Sequence, residues 1–404
     1  MSKENKFCTF TEKNKSVMIS LIVSRFHWRC KAPPLPSSPT NSTKMSLFIT
    51  RCRKVQRLLA SKKLDALLIT NSVNVRYLSG FTGGDSVLLI RRDSVTLLSD
   101  GRFTLQIEEE CPDFNDFYIR PTDETMATAI AKAYGITKSG CLGVEAETLT
   151  LAENKRLQDK LPKTKIAPTH GIVETFRQIK DRSEISAIRK AIDVAAKAFE
   201  CVRNGLRPDQ TEISIRNEIE YQMRLHGAEE KSFSTIIAAG PRAALPHAVP
   251  SAQPIGGHPM LLFDWGAVVD GYMSDLTRVL VLMPTKKLRT VYETVLKAQL
   301  AAIDAIKPGK TGEEIDAVAR GVIKDAGFAK HFNHGLGHSL GLEIHEDPRF
   351  KLGYNTVLKP GMVLTVEPGI YLKNWGGVRI EDDILVTKSG CEVLSRHVPK
   401  NFDF

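Results

Sequence analysis

The sequence predicts two successive layered α/β folds: an N-terminal α/β domain, then a larger α+β domain built from two similar halves. Three observations predict this. From residue 47 to about 170, short apolar runs alternate with stretches of helical periodicity. Beyond them one helix-opening phrase occurs twice, around Pro208 and again around Pro308. Each occurrence is followed by apolar strands joined as a hairpin, and each hairpin carries acids in otherwise apolar runs. A chain of 404 residues has room for two or three such domains.

Composition narrows the function. Hydrophobic residues make up 42% and charged residues 25%, as in ordinary globular proteins. No apolar run reaches membrane-spanning length, so no membrane partner is expected. The net charge is +10, but residues 1–44 hold eight Lys and Arg against Glu4 and Glu12, which accounts for +6 of it. The remaining chain is mildly basic, and no nucleic-acid partner is expected. Seven cysteines stand at positions 8, 30, 52, 111, 141, 201 and 391, with no Cys-x-x-Cys pair. That argues against a disulfide framework or zinc knuckle and for a reducing, cytoplasmic setting.

Residues 1–44 read as a disordered or non-native extension. Val17 to Val23 is too short for a secretory core and is followed by Arg25 and Arg29. Pro33, Pro34, Pro36 and Pro39 with several Ser and Thr suit a linker. Met45 is the expected start, and a basic transit peptide is the alternative.

Residues 45–172 are expected to form the N-terminal domain. Leu47 to about Leu59 suits an amphipathic helix, and Ala66–Thr70 a buried strand. Val87–Ile90 and Val95–Ser99 are two strands joined by a polar turn. Asp100-Gly101-Arg102-Phe103 ends the second and opens a helix toward Glu110; Cys141–Val144 is the clearest later strand. Gly83-Gly84 lacks the phosphate-loop ending and the dinucleotide glycine spacing, so a structural turn is expected there.

Residues 173–404 are expected to form the second domain. Ser183 is the expected N-cap of a helix with Ile185, Ile188, Ile192, Ala195, Phe199 and Val202 on its apolar face, ending at Gly205. A second helix opens after Pro208 and Thr211 and runs to Gly227. Pro308, Thr311 and Gly327 repeat that pattern. Two similar halves suggest pseudo-twofold symmetry with a site at their shared interface.

The chemistry lies in four strands and one glycine-rich stretch. Met260–Gly266 is apolar except for Asp264, and Tyr272–Val281 returns from the Asp270-Gly271 turn carrying Asp275. Val363–Gly369 carries Glu367; Gly376-Gly377 is the expected bend; Val378–Val386 returns with Arg379, Glu381 and Asp383 on one face. Paired carboxylates in an apolar sheet repel each other and lose hydration, so they call for a cation or a shared proton. One acid of each pair facing solvent is the alternative, as is an ion pair between Arg379 and Glu381. His334, His338 and His345 lie among glycines in the stretch from His334 to Glu346. Alone they fit metal ligands, acid–base groups or a surface loop. Four carboxylates and a histidine are what two divalent cations with shared ligands need, and an oxygen-rich donor set suits manganese, with zinc or cobalt as alternatives.

Asp264, Asp275, His338, Glu367 and Glu381, in that order, resemble the five metal ligands of the pita-bread metallopeptidases, the family of aminopeptidase P, prolidase and methionine aminopeptidase. The words from Asp270 to Arg278 and from Val366 to Tyr371 are similar too, while Asn74–Gly83 and Asp100–Phe103 resemble the creatinase-like N-terminal domain of the aminopeptidase P and prolidase branch. Methionine aminopeptidases lack that domain, and creatinase lacks the metal ligands. The resemblance implies a pita-bread catalytic domain, two divalent ions, and attack of metal-activated water on a Xaa-Pro bond. It implies that Glu367 also shuttles the proton, that His247, His334 and His345 are pocket histidines, and that Arg379 stands behind the metal ligands. Aminopeptidase P is the activity it favours, with prolidase, the Xaa-Pro dipeptidase, as the alternative and a non-catalytic binding protein as a remote one. A proline-containing peptide or dipeptide is the implied substrate and a homodimer the implied assembly.

Overall fold

The computed structural model describes residues 42–135 and 139–402. The expectations for residues 1–41 lie outside the described residues. Helix α1 (Ser42–Ser61) begins ahead of the expected Leu47. Then follow β1 (Ala66–Ile69), α2 (Ser72–Ser79), β2 (Val87–Arg91), β3 (Val95–Asp100), α3 (Thr104–Glu110), β4 (Phe117–Arg120), α4 (Met126–Tyr134), β5 (Gly140–Glu145), α5 (Leu151–Lys160) and β6 (Thr164–Thr169). The six strands form one sheet in the order β4-β3-β2-β1-β5-β6. Its β1–β2 and β2–β3 pairs are antiparallel and the others parallel.

Strand alternation feeds two cores. Leu67 and Ile69 of β1 join Cys52, Val55 and Leu59 of α1 on one face. Ala66 and Leu68 join Ala129, Ile130 and Tyr134 of α4 on the other. Apolar side chains alternate to both faces because helices cover both, the layered arrangement expected. Gly83-Gly84 is a bend whose Gly84 carbonyl accepts from Ser86 Oγ at 2.9 Å.

Short helix α6 (Ile172–Arg177) leads to α7 (Arg182–Asn204) and α8 (Glu212–Leu225). The N-cap of α7 is Asp181, not Ser183. Asp181 Oδ1 accepts from the Ser183 and Glu184 amides at 2.9 and 3.1 Å, and Glu184 reaches back to the Asp181 amide at 2.9 Å. A carboxylate closing this reciprocal box satisfies more orphan N–H groups than the serine hydroxyl two residues on. Strands β7 (Glu230–Lys231), β8 (Ile236–Ala239), β9 (Met260–Trp265), β10 (Ala267–Val269), β11 (Tyr272–Met273) and β12 (Leu276–Val281) complete the first half. The second half has α9 (Lys286–Ala305), α10 (Gly312–Asp325), β13 (Gly337–Ser339), β14 (Glu346–Phe350), β15 (Val363–Val366), β16 (Gly369–Leu372), β17 (Gly376–Arg379), β18 (Asp382–Val386) and β19 (Cys391–Val393).

The repeat read from sequence has a structural counterpart. Thr211 and Thr311 both N-cap their helices with closed capping boxes. Each also bridges to a later loop, Thr211 to Pro254 and Thr311 to Val357. In each half an antiparallel sheet lies on the helix pair: β12-β9-β8 in the first, β14-β13-β15-β18-β19 in the second.

Three strands expected to be continuous are broken at their acids; Val363–Gly369 stops as β15 at Val366, and Glu367 falls between it and β16. The return run of the first hairpin divides into β11 and β12 around Asp275, and that of the second into β17 and β18 around Glu381. Backbone groups at the breaks find partners across the halves instead of in the ladder. The Glu381 amide donates to the Thr277 carbonyl at 3.1 Å, and the Asp275 amide to Asp383 Oδ2 at 3.1 Å. Those two bonds draw the hairpins together. The bend of the second hairpin falls at Lys373–Trp375, where Asn374 has φ 60°, and Gly376 and Gly377 belong to β17.

Candidate metal centre

Asp264 is the one acid in β9, whose residues are all buried. Period-two alternation sends Leu261, Phe263 and Trp265 into the core under α7, where Trp265 stacks on Phe199 at 4.5 Å. Asp264 therefore faces the opposite side, toward the second half of the domain. It stands across from Thr277 of β12, so Asp275 lies two residues beyond the opposed position. The second hairpin ends its ladder at Val366 and Asp382, which leaves Glu367 and Glu381 one residue past the last pair.

These acids converge with the histidines on one cavity of about 830 Å³. All nine residues singled out in the sequence line it: His247, Asp264, Asp275, His334, His338, His345, Glu367, Arg379 and Glu381. One donor atom from each of Asp275, His338 and Glu381 lies within 4.8 Å of the other two. Arg379 pairs with Asp264 rather than with Glu381. Its Nη2 donates to Asp264 Oδ2 at 2.5 Å, its Nε to Thr277 Oγ1 at 3.1 Å and its Nη1 to Tyr371 Oη at 2.8 Å. Thr277 in turn donates to Glu381 Oε2 at 2.7 Å.

The histidine tautomers follow from their partners. His334 Nδ1 faces the Gly335 carbonyl at 2.7 Å, and a carbonyl only accepts, so the proton is on Nδ1. Nε2 is then bare and accepts from Tyr371 Oη at 3.0 Å. Burial, with Arg379 nearby, pushes His334 down to about 4, so it is neutral. His338 Nδ1 likewise faces the Ser339 carbonyl, at 3.1 Å. Its bare Nε2 points at Asp275 Oδ2 and Glu367 Oε1, each 3.6 Å away. Burial, with His345 beside it, pushes His338 down to about 3. A lone pair aimed at two carboxylates beyond hydrogen-bond reach is repulsive unless a cation stands between them.

The carboxylates make the same demand. Burial, and then the neighbouring acids, raises Asp275 and Glu367 well above the carboxylate range. Burial and Asp264 push Glu381 up to about 8. Asp264 Oδ1, Glu381 Oε1 and Asp383 Oδ1 are buried without hydrogen-bond partners. Uncompensated buried acids on this scale are unstable as anions. A divalent ion among oxygen-rich donors with one imidazole satisfies them together, so the residues fit such an ion.

Sequence reasoning missed Tyr371, Thr277 and Asp383 as members of the site. Tyr371 is four residues after Glu367, and Thr277 two after Asp275. Their only signal was standing inside the acidic words. Asp383 shares the face predicted for Arg379 and Glu381, and its Oδ2 accepts from the Asp275 amide.

Comparison with known proteins agrees with this geometry. Residues 186–388 match the model of metallopeptidase family M24, and residues 51–179 that of the creatinase/prolidase N-terminal domain. The chain belongs to metallopeptidase family M24. It is a metal-dependent hydrolase of peptide bonds on the M24 fold. It is 37% identical to a Xaa-Pro dipeptidase of Pyrococcus furiosus over 86% of this chain and 97% of that one. Its structure is similar to that of a Xaa-Pro dipeptidase from Bacillus anthracis, with TM-score 0.83, 38% identity, and coverage of 88% and 99% of the two chains. It is also similar to that of an X-Pro aminopeptidase from Thermotoga maritima, with TM-score 0.80, 34% identity, and coverage of 86% and 99%.

Proposed function

We propose that this M24 peptidase hydrolyses Xaa-Pro dipeptides, holding two divalent ions, preferably manganese, with Asp264, Asp275, His338, Glu367 and Glu381. The observation that carries the metal reading is the bare His338 Nε2 facing Asp275 and Glu367 at 3.6 Å among unpartnered buried acids. In this reading residues 45–172 are the N-terminal domain and residues 173–404 the catalytic one. The two family matches, over 51–179 and 186–388, support a boundary in that region.

Substrate length turns on what meets the chain beyond proline. Arg216, Lys231, Arg349 and Lys351 line the same cavity as the acids. A dipeptide has its free carboxylate one residue from the scissile bond, within a cavity of this size. Four cationic side chains suit that carboxylate. The dipeptidase relatives shift the weight from aminopeptidase P, which the sequence favoured, to the dipeptidase. The Thermotoga aminopeptidase likeness keeps cleavage of longer Xaa-Pro peptides as the second reading.

Bound divalent ions polarise the substrate carbonyl and acidify water. The protein's residues supply position and proton transfer. Glu367 lines the cavity beside His338, a place from which its carboxylate would accept a proton from water and pass it to the leaving proline nitrogen. Neutral His334, locked between Gly335 and Tyr371, and the neighbouring His345 and His247 present imidazole edges to the substrate. Arg379 holds Asp264 and, through Thr277, Glu381 in fixed orientation.

The experiment compares Xaa-Pro, its C-terminal amide and Xaa-Pro-Yaa-Zaa with manganese present. Cleavage of the free dipeptide, weakened on amidation, is expected. Cleavage of the tetrapeptide alone would establish the second reading. Stripping the ions with a chelator should stop hydrolysis and lower the melting temperature, since an ion held at 100 times its Kd adds about 2.7 kcal/mol. Glu367→Ala should be folded and inactive.

A further inference from the structure

A second group of charged side chains, outside the cavity, lies behind the histidine loop. Lys180 is almost wholly buried, with 1% of its side chain exposed, as are Arg177 at 3% and Glu346 at 6%. Lys180 Nζ donates to Ser339 Oγ at 2.9 Å and to Glu346 Oε2 at 3.2 Å. Arg177 Nη2 donates to Glu346 Oε1 and to Glu343 Oε2, both at 2.6 Å. Its Nη1 donates to Asn74 Oδ1 at 2.9 Å, and Asn74 Nδ2 donates to Glu145 Oε1 at 2.7 Å. Glu346 Oε1 also accepts the Leu342 and Glu343 amides at 3.0 and 3.2 Å. None of these residues lines the cavity.

The contacts close a turn. Residues 339–344 join His338 to His345, whose rings lie 4.4 Å apart. The Glu346 carboxylate folds back inside that turn and ties its amides. It comes so close to Gly341 that a Cβ there would stand 2.8 Å from Oε1. Lys180 fastens the start of the turn through Ser339, whose carbonyl faces His338 Nδ1. Arg177 fastens its end and links it to Asn74 and Glu145, on elements of the six-stranded sheet's layer.

Buried ion groups of this kind lose hydration and add little net stability compared with apolar packing. What they add is direction, because each oxygen is aimed by more than one donor. We propose that Arg177, Lys180 and Glu346 are positioning residues for the reaction: they set the turn that aims His338 and His345, and through it the N-terminal layer conditions the metal site of its own chain. This rests on the metal reading above.

The test uses the full chain, with Glu346→Gln and Ser339→Ala. Leu68→Ala, a core truncation in β1, controls for lost stability. Manganese binding is measured by calorimetry, and kcat and KM on a Xaa-Pro dipeptide. Loosened support for a ligand typically weakens metal affinity or activity by about 10–100-fold. Glu346→Gln is expected to raise the manganese Kd by at least about 10-fold and to lower kcat more than it raises KM. Ser339→Ala, which drops one hydroxyl, is expected to do the same to a smaller degree. Leu68→Ala is expected to melt earlier while binding manganese and turning over as the unmodified protein does. If Glu346→Gln does not fold, Ser339→Ala decides. Unmodified protein that takes up no manganese and cleaves no dipeptide overturns the metal reading and this proposal with it. Unmodified protein that does both, with Glu346→Gln and Ser339→Ala matching it or falling no further than Leu68→Ala, overturns the positioning proposal alone.

Discussion

Arg278→Met removes a cation on which the second acidic hairpin leans. The guanidinium is fully buried against Asp382, also fully buried, at 2.8 Å. It also donates to the carbonyls of Thr277 at 2.9 Å, Glu381 at 2.5 Å, Val398 at 2.9 Å and Pro399 at 2.8 Å. Methionine fills similar volume but makes none of these bonds. Asp382 keeps Lys400, Ser395 Oγ and Gln299 Nε2, so its charge is not left bare. The carbonyls of Glu381, Val398 and Pro399 lose the donor that ties the C-terminal segment to the site. Leaving buried carbonyls without their donor costs about 1–3 kcal/mol each, a large part of the roughly 5–15 kcal/mol that holds a protein folded. Urea unfolding of the metal-free protein measures it. Combined with Asp382→Asn, the double-mutant cycle should show a coupling of about 2 kcal/mol between the two residues. A loss below about 1 kcal/mol, or strict additivity, would refute the claim that this pair carries the hairpin.

Two other changes probe the same frame. At Gly337 an added Cβ would stand 2.1 Å from the Thr365 carbonyl. Gly337→Ala should therefore cost about 1–3 kcal/mol by overpacking and shift the neighbouring His338; melting and manganese titration read both effects, and unchanged binding would detach His338 from this contact. The third concerns pH. Arg51 is shared by Asp181 at 2.8 Å and Glu184 at 3.1 Å. Burial would raise Asp181, but hydrogen bonds from Ser183 and Glu184 and the charge of Arg51 hold it down to about 2. The more deeply buried Glu184 is pushed up to about 7 by burial, which outweighs Arg51. Between about 4.5 and 7 the folded state thus keeps a proton that the unfolded chain has lost, so this contribution is present at low pH and lost as pH rises through 7. Glu184→Gln should flatten that slope by at most about 3 kcal/mol, and a steeper slope in the variant would reverse the assignment.

The acidic hairpins were legible because a carboxylate in an apolar strand has no ordinary explanation. The helical repeat was legible because Pro208, Thr211 and Gly227 recur as Pro308, Thr311 and Gly327, each with a local backbone reason to be there. The β2–β3 hairpin showed in its two apolar runs and polar turn. What escaped was non-local. Arg278 and Asp382 are more than a hundred residues apart, and no periodicity marks their pairing. Arg177 and Lys180 sit in a polar stretch that reads as exposed helix and linker, yet both are buried against a loop near the far end of the chain. The Asp181–Glu184 capping box was local and readable, but the nearer serine obscured it. The strand breaks at Asp275 and Glu381 depend on bonds between the two halves, which neither hairpin predicts alone.

The pairing of buried acids separates the centre from its supports. Asp382 and Glu346 are buried as deeply as the site acids. For both, burial would raise the pKa, but the cations facing them win: Arg278 and Lys400 for Asp382, Lys180 and Arg177 for Glu346. Both are held below the usual carboxylate range. Asp275, Glu367, Glu381 and Asp383 face mainly one another and are raised. Asp382 and Glu346 thus have their countercharges from the chain, whereas the cations near the inner group are already engaged, Arg379 by Asp264 and Arg278 by Asp382. Two acids buried beside the site are paired with the chain's own cations, whereas those facing the bare nitrogen of His338 are not, and that place suits positive charge from outside the chain. The deficit exceeds one carboxylate, so a divalent charge complements it better than a monovalent one.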